Sequence, residues 1–276
     1  MNDPECVQFL QWALPQLHMR WPGFRRVRNQ VCKRLQRRID ELQLDGLSAY
    51  RDYLNEYGEE WALLDGLCQV TVSRFYRDKA VFSFLEEQVL PALISKIDET
   101  AGTELRIWSA GCGAGEEPYT LALLWALRFQ SSCAHIAPAI VATDINPGML
   151  ERARQACYPF SAIKNLPSLW RDSAFVKRNE LFCLRHEYQT MVEYLCQDLR
   201  SASLPGIAKN PFHLISCRNL AFTYFDEPLQ REIVQRLHSA LDEGGVLLLG
   251  VHEELPAAVQ GFKVWSKRLA VYQRVP

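Results

Sequence analysis

The sequence predicts an α/β fold of the nucleotide-binding kind, and three observations predict it. The stretch 105–123, LRIWSAGCGAGEEPYTLAL, carries an apolar run into Gly111, Gly113 and Gly115 and then into helix-compatible residues, the pattern of strand, tight turn and helix. The run 140–144, IVATD, reads as a second strand ending in the carboxylate of Asp144. Two more apolar runs, 212–217 and 246–250, read as buried strands, with a helix over 227–241 between them that Gly244 and Gly245 stop.

The other elements follow in chain order. Residues 4–19 have helical spacing, and Pro22 with Gly23 breaks the chain. In 24–38, FRRVRNQVCKRLQRR, the residues Val27, Val31 and Leu35, continued by Leu42, form an apolar stripe. Between them stand Arg25, Arg26, Arg28, Lys33, Arg34, Arg37 and Arg38, with no acidic residue in the segment. Such a helix has a core side and a basic side. A solvated face is the ordinary meaning of a charge run. The whole chain, however, is balanced at 31 Lys and Arg against 32 Asp and Glu, so a local excess also fits an acidic protein partner, with Arg25, Arg28, Arg34 and Arg38 as docking candidates.

Helices over 47–56 and 59–69 come next, followed by Thr71, Ser73 and Arg77 just before an amphipathic helix. We place the domain boundary near residue 80, with a helical domain and its linker over 1–80 and the α/β domain over 81–276. Helices are expected over 116–129 and 147–156, and 158–167 is turn-rich. Three short strand-like runs then predict a small antiparallel addition over 173–192, whose last run, 192–196, rejoins the main sheet. Asp198 stands just past that strand, at the end where parallel sheets bind ligands. The pieces 262–265 and 270–274 form an expected hairpin.

Composition excludes several classes. A near-neutral chain is no generic nucleic-acid binder, and no aromatic residues interleave with the basic run as a single-strand platform requires. No apolar run approaches the roughly 18 residues of a membrane span, and MNDPEC has no signal-peptide pattern, so the expected location is the cytoplasm. The nine cysteines are scattered without a CxxC and read as reduced and mostly buried, with Cys112 a packing residue inside the glycine loop. The six histidines show no metal-ligand spacing, so no metal is expected. No extended heptad pattern or self-complementary patch is legible, and a monomer is the expectation.

The chemistry of the loop narrows the ligand. Glycines let a turn adopt positive φ and let a ligand approach the backbone. Glu116 and Glu117 follow directly, in the first turn of the helix, where they could simply satisfy its dipole. A dinucleotide places its pyrophosphate at that helix end, and two carboxylates would repel it. A ligand carrying positive charge, such as S-adenosylmethionine (SAM) with its ammonium and sulfonium, would be attracted. Asp144 has two readings, as acceptor for ribose hydroxyls or as cap of the helix after it.

Together SAGCGAGEEPY, ATDIN, SCRNLAFTYFD and the upstream TVSRFYRD resemble the chemotaxis receptor glutamate O-methyltransferases, the CheR family, over essentially the whole chain. The resemblance implies a class I SAM-methyltransferase fold, Rossmann-like and mostly parallel with an antiparallel last strand, an N-terminal helical domain and an inserted β-subdomain. It implies that Thr71, Ser73, Arg77, Gly111, Gly113, Glu116, Glu117, Asp144, Asp198, Leu199, Arg218 and Asn219 line the site of SAM and of its product S-adenosylhomocysteine (SAH). Arg77 and Tyr224 would face the methyl group and the incoming carboxylate. The alternatives are a salt bridge from Arg77 to Asp78 and a core role for Tyr224. The implied substrate is an acidic helical protein such as a chemoreceptor cytoplasmic domain, which would make the basic helix a docking surface.

Three places depart from the family pattern. Thr71 stands where the family has Asn, four residues (220–223) rather than three separate CRN from YFD, and Gly250, Val251, His252, Glu253 replace GHSE. The turn at 178–180 also lacks the glycines expected where receptor-tail peptides bind. A carboxylate nucleophile, with a pKa of about 4.3, needs no general base, which agrees with the lack of any evident catalytic dyad. A methyltransferase of a small carboxylate and a non-catalytic SAM- or SAH-binding regulator are the competing readings.

Overall fold

The computed structural model describes residues 2–71, 73–201 and 210–276. The chain forms two compact units, one of Met1–Thr71 with Leu220–Gln230, the other of Val72–Asn219 with Arg231–Pro276. The division thus falls at Thr71/Val72, ahead of the boundary expected near residue 80. A stretch that the sequence placed in the α/β domain, 220–230, packs with the helical unit.

In the helical unit, helices span Asp3–Ala13, Arg28–Glu41, Leu47–Glu56 and Glu60–Cys68. The first starts at a capping box, in which Asn2 accepts from the Glu5 N–H and Glu5 accepts from the Asn2 N–H, each at 2.9 Å. The basic helix buries Val31, Leu35 and Ile39, an i, i+4, i+8 stripe, while Leu42 of the expected stripe is its C-cap. Where a break was expected at Pro22 and Gly23, the chain makes a single helical turn, Trp21–Phe24, with Phe24 fully buried. The returning segment is held by a Met19–Phe225 bridge and by the Arg20 N–H on the Tyr224 carbonyl at 2.8 Å. Gly23 is needed there, because a Cβ would run into the Thr223 carbonyl.

The second unit is a seven-stranded sheet in the order β6-β2-β1-β7-β8-β10-β9. The strands are β1 (Glu104–Ala110), β2 (Ala137–Asp144), β6 (Val192–Cys196), β7 (Phe212–Ser216), β8 (Leu241–Leu248), β9 (Phe262–Ser266) and β10 (Val271–Arg274). Neighbours from β6 through β8 run parallel, and β10 is antiparallel to both β8 and β9. The hairpin forces the pairing of β9 with β10, since the short 267–270 turn can only reverse direction. β1 is buried from Ile107 to Ala110, as the run LRIWSA requires in a sheet covered on both faces.

A second sheet of three antiparallel strands contains β3 (Cys157–Pro159), β4 (Phe175–Arg178) and β5 (Leu181–Leu184), in the order β3-β5-β4. It therefore takes in residues that the sequence read as turns and ends at Leu184, whereas 192–196 is β6 of the main sheet.

The cysteines need correcting. Cys6 is bonded to Cys32, joining the first helix to the basic helix, and Cys157 is bonded to Cys183 directly across β3 and β5. Each pair is separated by 26 residues, so no local spacing announced it. Cys68, Cys112 and Cys217 are free and buried, as expected.

Candidate functional site

The site is built at the C-terminal end of β1. Here β2 lies on one side and β7 on the other, the switch point at which open α/β sheets bind ligands. Gly111, Gly113 and Gly115 have φ of 78°, 57° and 91°. At Gly115 a Cβ would lie 2.6 Å from the Tyr194 hydroxyl and 3.0 Å from Ala153, so glycine is required by space as well as by φ. The Thr143 carbonyl accepts the N–H of Gly111 at 2.8 Å and of Cys112 at 2.9 Å, and the Tyr158 hydroxyl donates to the Ala114 carbonyl at 2.7 Å. These bonds tie the loop to β2 and to the small sheet.

Asp144 accepts the Gly113 N–H at 2.8 Å and the Asn146 N–H at 2.9 Å, one on each oxygen. It is not the cap of the next helix. That role belongs to Asn146, whose side chain accepts from Gly148 and Met149. Burial pushes the Asp144 carboxyl above its usual range, against the opposing pull of its backbone hydrogen bonds.

The two glutamates after the loop differ. Glu116 is 6% exposed, one of its oxygens has no partner, and burial raises its pKa despite a hydrogen bond to Ser73. Glu117 is already engaged, accepting the Ser109 hydroxyl at 2.9 Å and an Arg218 N–H at 3.1 Å. Arg218, with its side chain only 3% exposed, also donates to Asp78 at 2.6 Å and to the Arg77 carbonyl at 3.3 Å. Arg218 is thus a bracket between the glycine-loop helix and the segment carrying Arg77. Asp78, the alternative partner proposed for Arg77, is paired with Arg218.

Other expected residues are placed as follows. Asn219 adopts a left-handed φ of 58°, and its N–H donates to Glu253 at 2.7 Å. Asp198 pairs with Arg200 at 3.0 Å, and Leu199 is buried beside it. Thr71 is exposed at the end of the helical unit. Tyr224 also belongs to that unit, half-buried, its ring edge-on to Phe24 at 5.1 Å. The Cys112 thiol is buried and its pKa is pushed well up by desolvation, then by Asp144 and Glu117, which suits packing and not nucleophilic chemistry. Among the described residues no cluster could hold a metal ion, and no helix is long and apolar enough to cross a membrane.

Of the four docking candidates, three are spent inside the helical unit. Arg28 pairs with Asp3 at 2.8 Å, Arg34 donates to the Leu67 and Gln69 carbonyls at 3.0 and 2.6 Å, and Arg38 pairs with the buried Glu60 at 2.8 Å. Arg25 is exposed with its side chain unpaired among the described residues, as are Arg26, Lys33 and Arg37. Arg25 and Arg26 precede the basic helix, while Lys33 and Arg37 stand one turn apart on it.

Sequence comparison is in accord with this geometry. The family described as CheR methyltransferase, SAM binding domain, matches residues 71–271. The chain belongs to the CheR methyltransferase family. It is 30% identical to the chemotaxis protein methyltransferase of Borreliella burgdorferi, over 78% of this chain and 77% of that one. It is 33% identical to a probable chemotaxis protein methyltransferase of Rhizobium etli, over 82% of this chain and 84% of that one. A 104.1 kDa uncharacterized protein of Rhodobacter capsulatus is 30% identical over 88% of this chain, which spans only 25% of that longer protein.

The cofactor of this CheR-family chain is SAM, and the residues at the loop suit it. A buried Glu116 oxygen without a partner calls for a donor, which an ammonium supplies, and the Asp144 carboxylate stands at the loop where ribose hydroxyls can donate. Glu253, which accepts the Asn219 N–H beside the site, was not among the expected residues. Its signal was the departure from GHSE, which nevertheless keeps a glutamate three residues after Gly250.

Proposed function

We propose that this chain transfers the methyl group of SAM to glutamate carboxylates of an acidic, helical protein substrate, a chemoreceptor cytoplasmic domain, forming methyl esters. The observation that carries the reading is the basic face. Among the described residues, Arg25, Arg26, Lys33 and Arg37 are exposed and unpaired in a unit whose other arginines are engaged. Such uncommitted cations raise the local concentration of an acidic surface and speed its encounter. The chemotaxis methyltransferases among its relatives support the same substrate class.

SAM supplies a methyl group made electrophilic by its sulfonium. The acceptor carboxylate is ionised at neutral pH, so the protein's task is alignment, which can contribute up to about 7–11 kcal/mol. Arg77, its peptide carbonyl held by Arg218, would hold the carboxylate by charge-assisted hydrogen bonds. The residues Ser73, Glu116, Asp144, Asp198, Leu199 and Asn219 would surround the cofactor, with the protein acting as a monomer in the cytoplasm.

The test is incubation with methyl-labelled SAM and a purified chemoreceptor cytoplasmic domain, beside a version with its surface glutamates changed to glutamine. Label that enters the first, is absent from the second and leaves as methanol in mild base is the expected result. Label found only in small carboxylates, or SAM binding without transfer to any acidic protein, would replace this reading with one of its two competitors.

A further inference from the structure

Glu253 is 3% exposed, and the chemistry above makes no use of it. Its Oε2 accepts two backbone N–H groups at once, those of Gly250 and Asn219, both at 2.7 Å. Gly250 follows β8 and Asn219 follows β7, and these strands are parallel neighbours. One buried oxygen therefore joins the C-terminal ends of two adjacent strands, on the side where the cofactor loop lies. The Glu253 N–H donates back to the Gly250 carbonyl at 2.7 Å, a tight turn that returns the carboxylate to the strand ends.

Asn219 keeps its left-handed φ at a cost that any side chain bearing a Cβ must meet, and the bond to Glu253 opposes relaxation. A Cβ on Gly250 would lie 2.8 Å from the Glu253 Oε2 and would run into the Asn219 side-chain amide. Asn219 is thus laid across the bare α-carbon of Gly250. Immediately before it, Arg218 reaches in the other direction to Glu117 and Asp78.

We infer that Glu253 is a positioning residue for methyl transfer: its single buried oxygen fixes the backbone of Asn219 and, through it, the reach of Arg218 toward Glu117 and the segment of Arg77. It does so as a hydrogen-bond acceptor. The inference rests on the methyl-transfer reading only for its turnover measurement, while its cofactor-affinity measurement stands apart from it.

The experiment compares the full chain with Glu253→Gln, Glu253→Leu and Gly250→Ala, measuring SAH affinity by calorimetry and kcat and KM on the acidic protein. Gln keeps an oxygen for both N–H groups, so affinity and kcat should stay within about threefold of the parent. Leu removes the acceptor and Ala pushes on it from the other side. Each should weaken SAH binding about tenfold or more and lower kcat, with KM for the acidic protein little changed, because the basic face sets it. If Glu253→Leu does not fold, Glu253→Met, which likewise removes the acceptor but keeps an unbranched chain of similar length, decides. Parent-like SAH affinity and kcat in the Leu and Ala variants would overturn the inference, as would a Gln variant as impaired as Leu. A parent protein that binds SAH but methylates nothing would count against the substrate reading and leave the affinity comparison intact.

Discussion

Replacing Arg218 with methionine tests how the site is held together. The guanidinium makes charge-assisted hydrogen bonds to Asp78 at 2.6 Å and to Glu117 at 3.1 Å. At about 1.5–3 kcal/mol each, the pair contributes about 3–6 kcal/mol. The Asp78 and Glu117 side chains remain 28% and 18% exposed, so water recovers part of their solvation in the variant. Methionine also keeps contact with the Phe82 ring, over which the guanidinium carbon sits at 5.6 Å. The expected net loss is therefore about 2–4 kcal/mol, read as a fall in the urea midpoint of the α/β unit. SAH affinity should fall as well, because Glu117 and the Arg77 segment lose their common anchor. Arg218→Lys should lie between, since a single ammonium cannot span both carboxylates as a planar fork does. A cycle with Glu117→Gln should show coupling of about 0.5–3 kcal/mol. A loss below about 1 kcal/mol in Arg218→Met with unchanged SAH affinity, the behaviour of an exposed ion pair, would refute the bracket.

Burial raises the carboxyls of both Glu116 and Asp144, so each is protonated at a higher pH than an ordinary acid. SAM binding should be full above these raised values and weaken as pH falls through them, an effect that calorimetry from neutral to mildly acidic buffer checks and that Glu116→Gln should reduce. Glu60 is the opposite case: the hydrogen bond from Arg38, outweighing desolvation, holds its pKa below the usual 4.5. Its contribution to stability is complete above that value and lost as pH falls through the lower folded one, so Glu60→Gln should flatten the acid limb of the helical unit's unfolding curve. Each disulfide closes 26 residues and should stabilise its unit by about 3 kcal/mol, visible as separate drops in Tm for Cys6→Ser and Cys157→Ser and as a combined drop on reduction. Arg26→Glu with Lys33→Glu and Arg37→Glu should lower kcat/KM on the acidic protein by about tenfold or more and flatten its salt dependence, while SAH affinity stays unchanged.

Much of the fold was legible because it is written locally. The helix Leu47–Glu56 and the strand Val192–Cys196 lie where periodicity put them, and β1, the glycine loop and its helix follow from an apolar run, three glycines and a dipole-satisfying pair of glutamates. The antiparallel pairing of β9 with β10 followed from a hairpin too short for any other connection. The small sheet was only partly legible. Its strand Cys157–Pro159 is three residues long, too short to show alternation, and it exists because β5 lies beside it.

The site divides along the same line. Residue types and order alone determined a glycine loop that suits a cationic nucleoside, a carboxylate at the end of β2 and a helix with one basic side, since each depends on neighbours within a turn or two. Tertiary structure decided which of those groups are free to act. Arg34 and Arg38 look the same as Arg37 in the run KRLQRR, yet the first two are held by carbonyls and by Glu60 while the third has no partner among the described residues. Glu117 and Glu116 are adjacent, yet Arg218 engages only the one turned toward it. The Cys6–Cys32 and Cys157–Cys183 pairs, the reach of Arg218 to Asp78 and the grip of Glu253 on Asn219 all join residues far apart in the chain. The reason is physical: a hydrogen bond or disulfide depends on separation in space to within a few tenths of an ångström, and over such distances along the chain only packing of the whole core sets that separation.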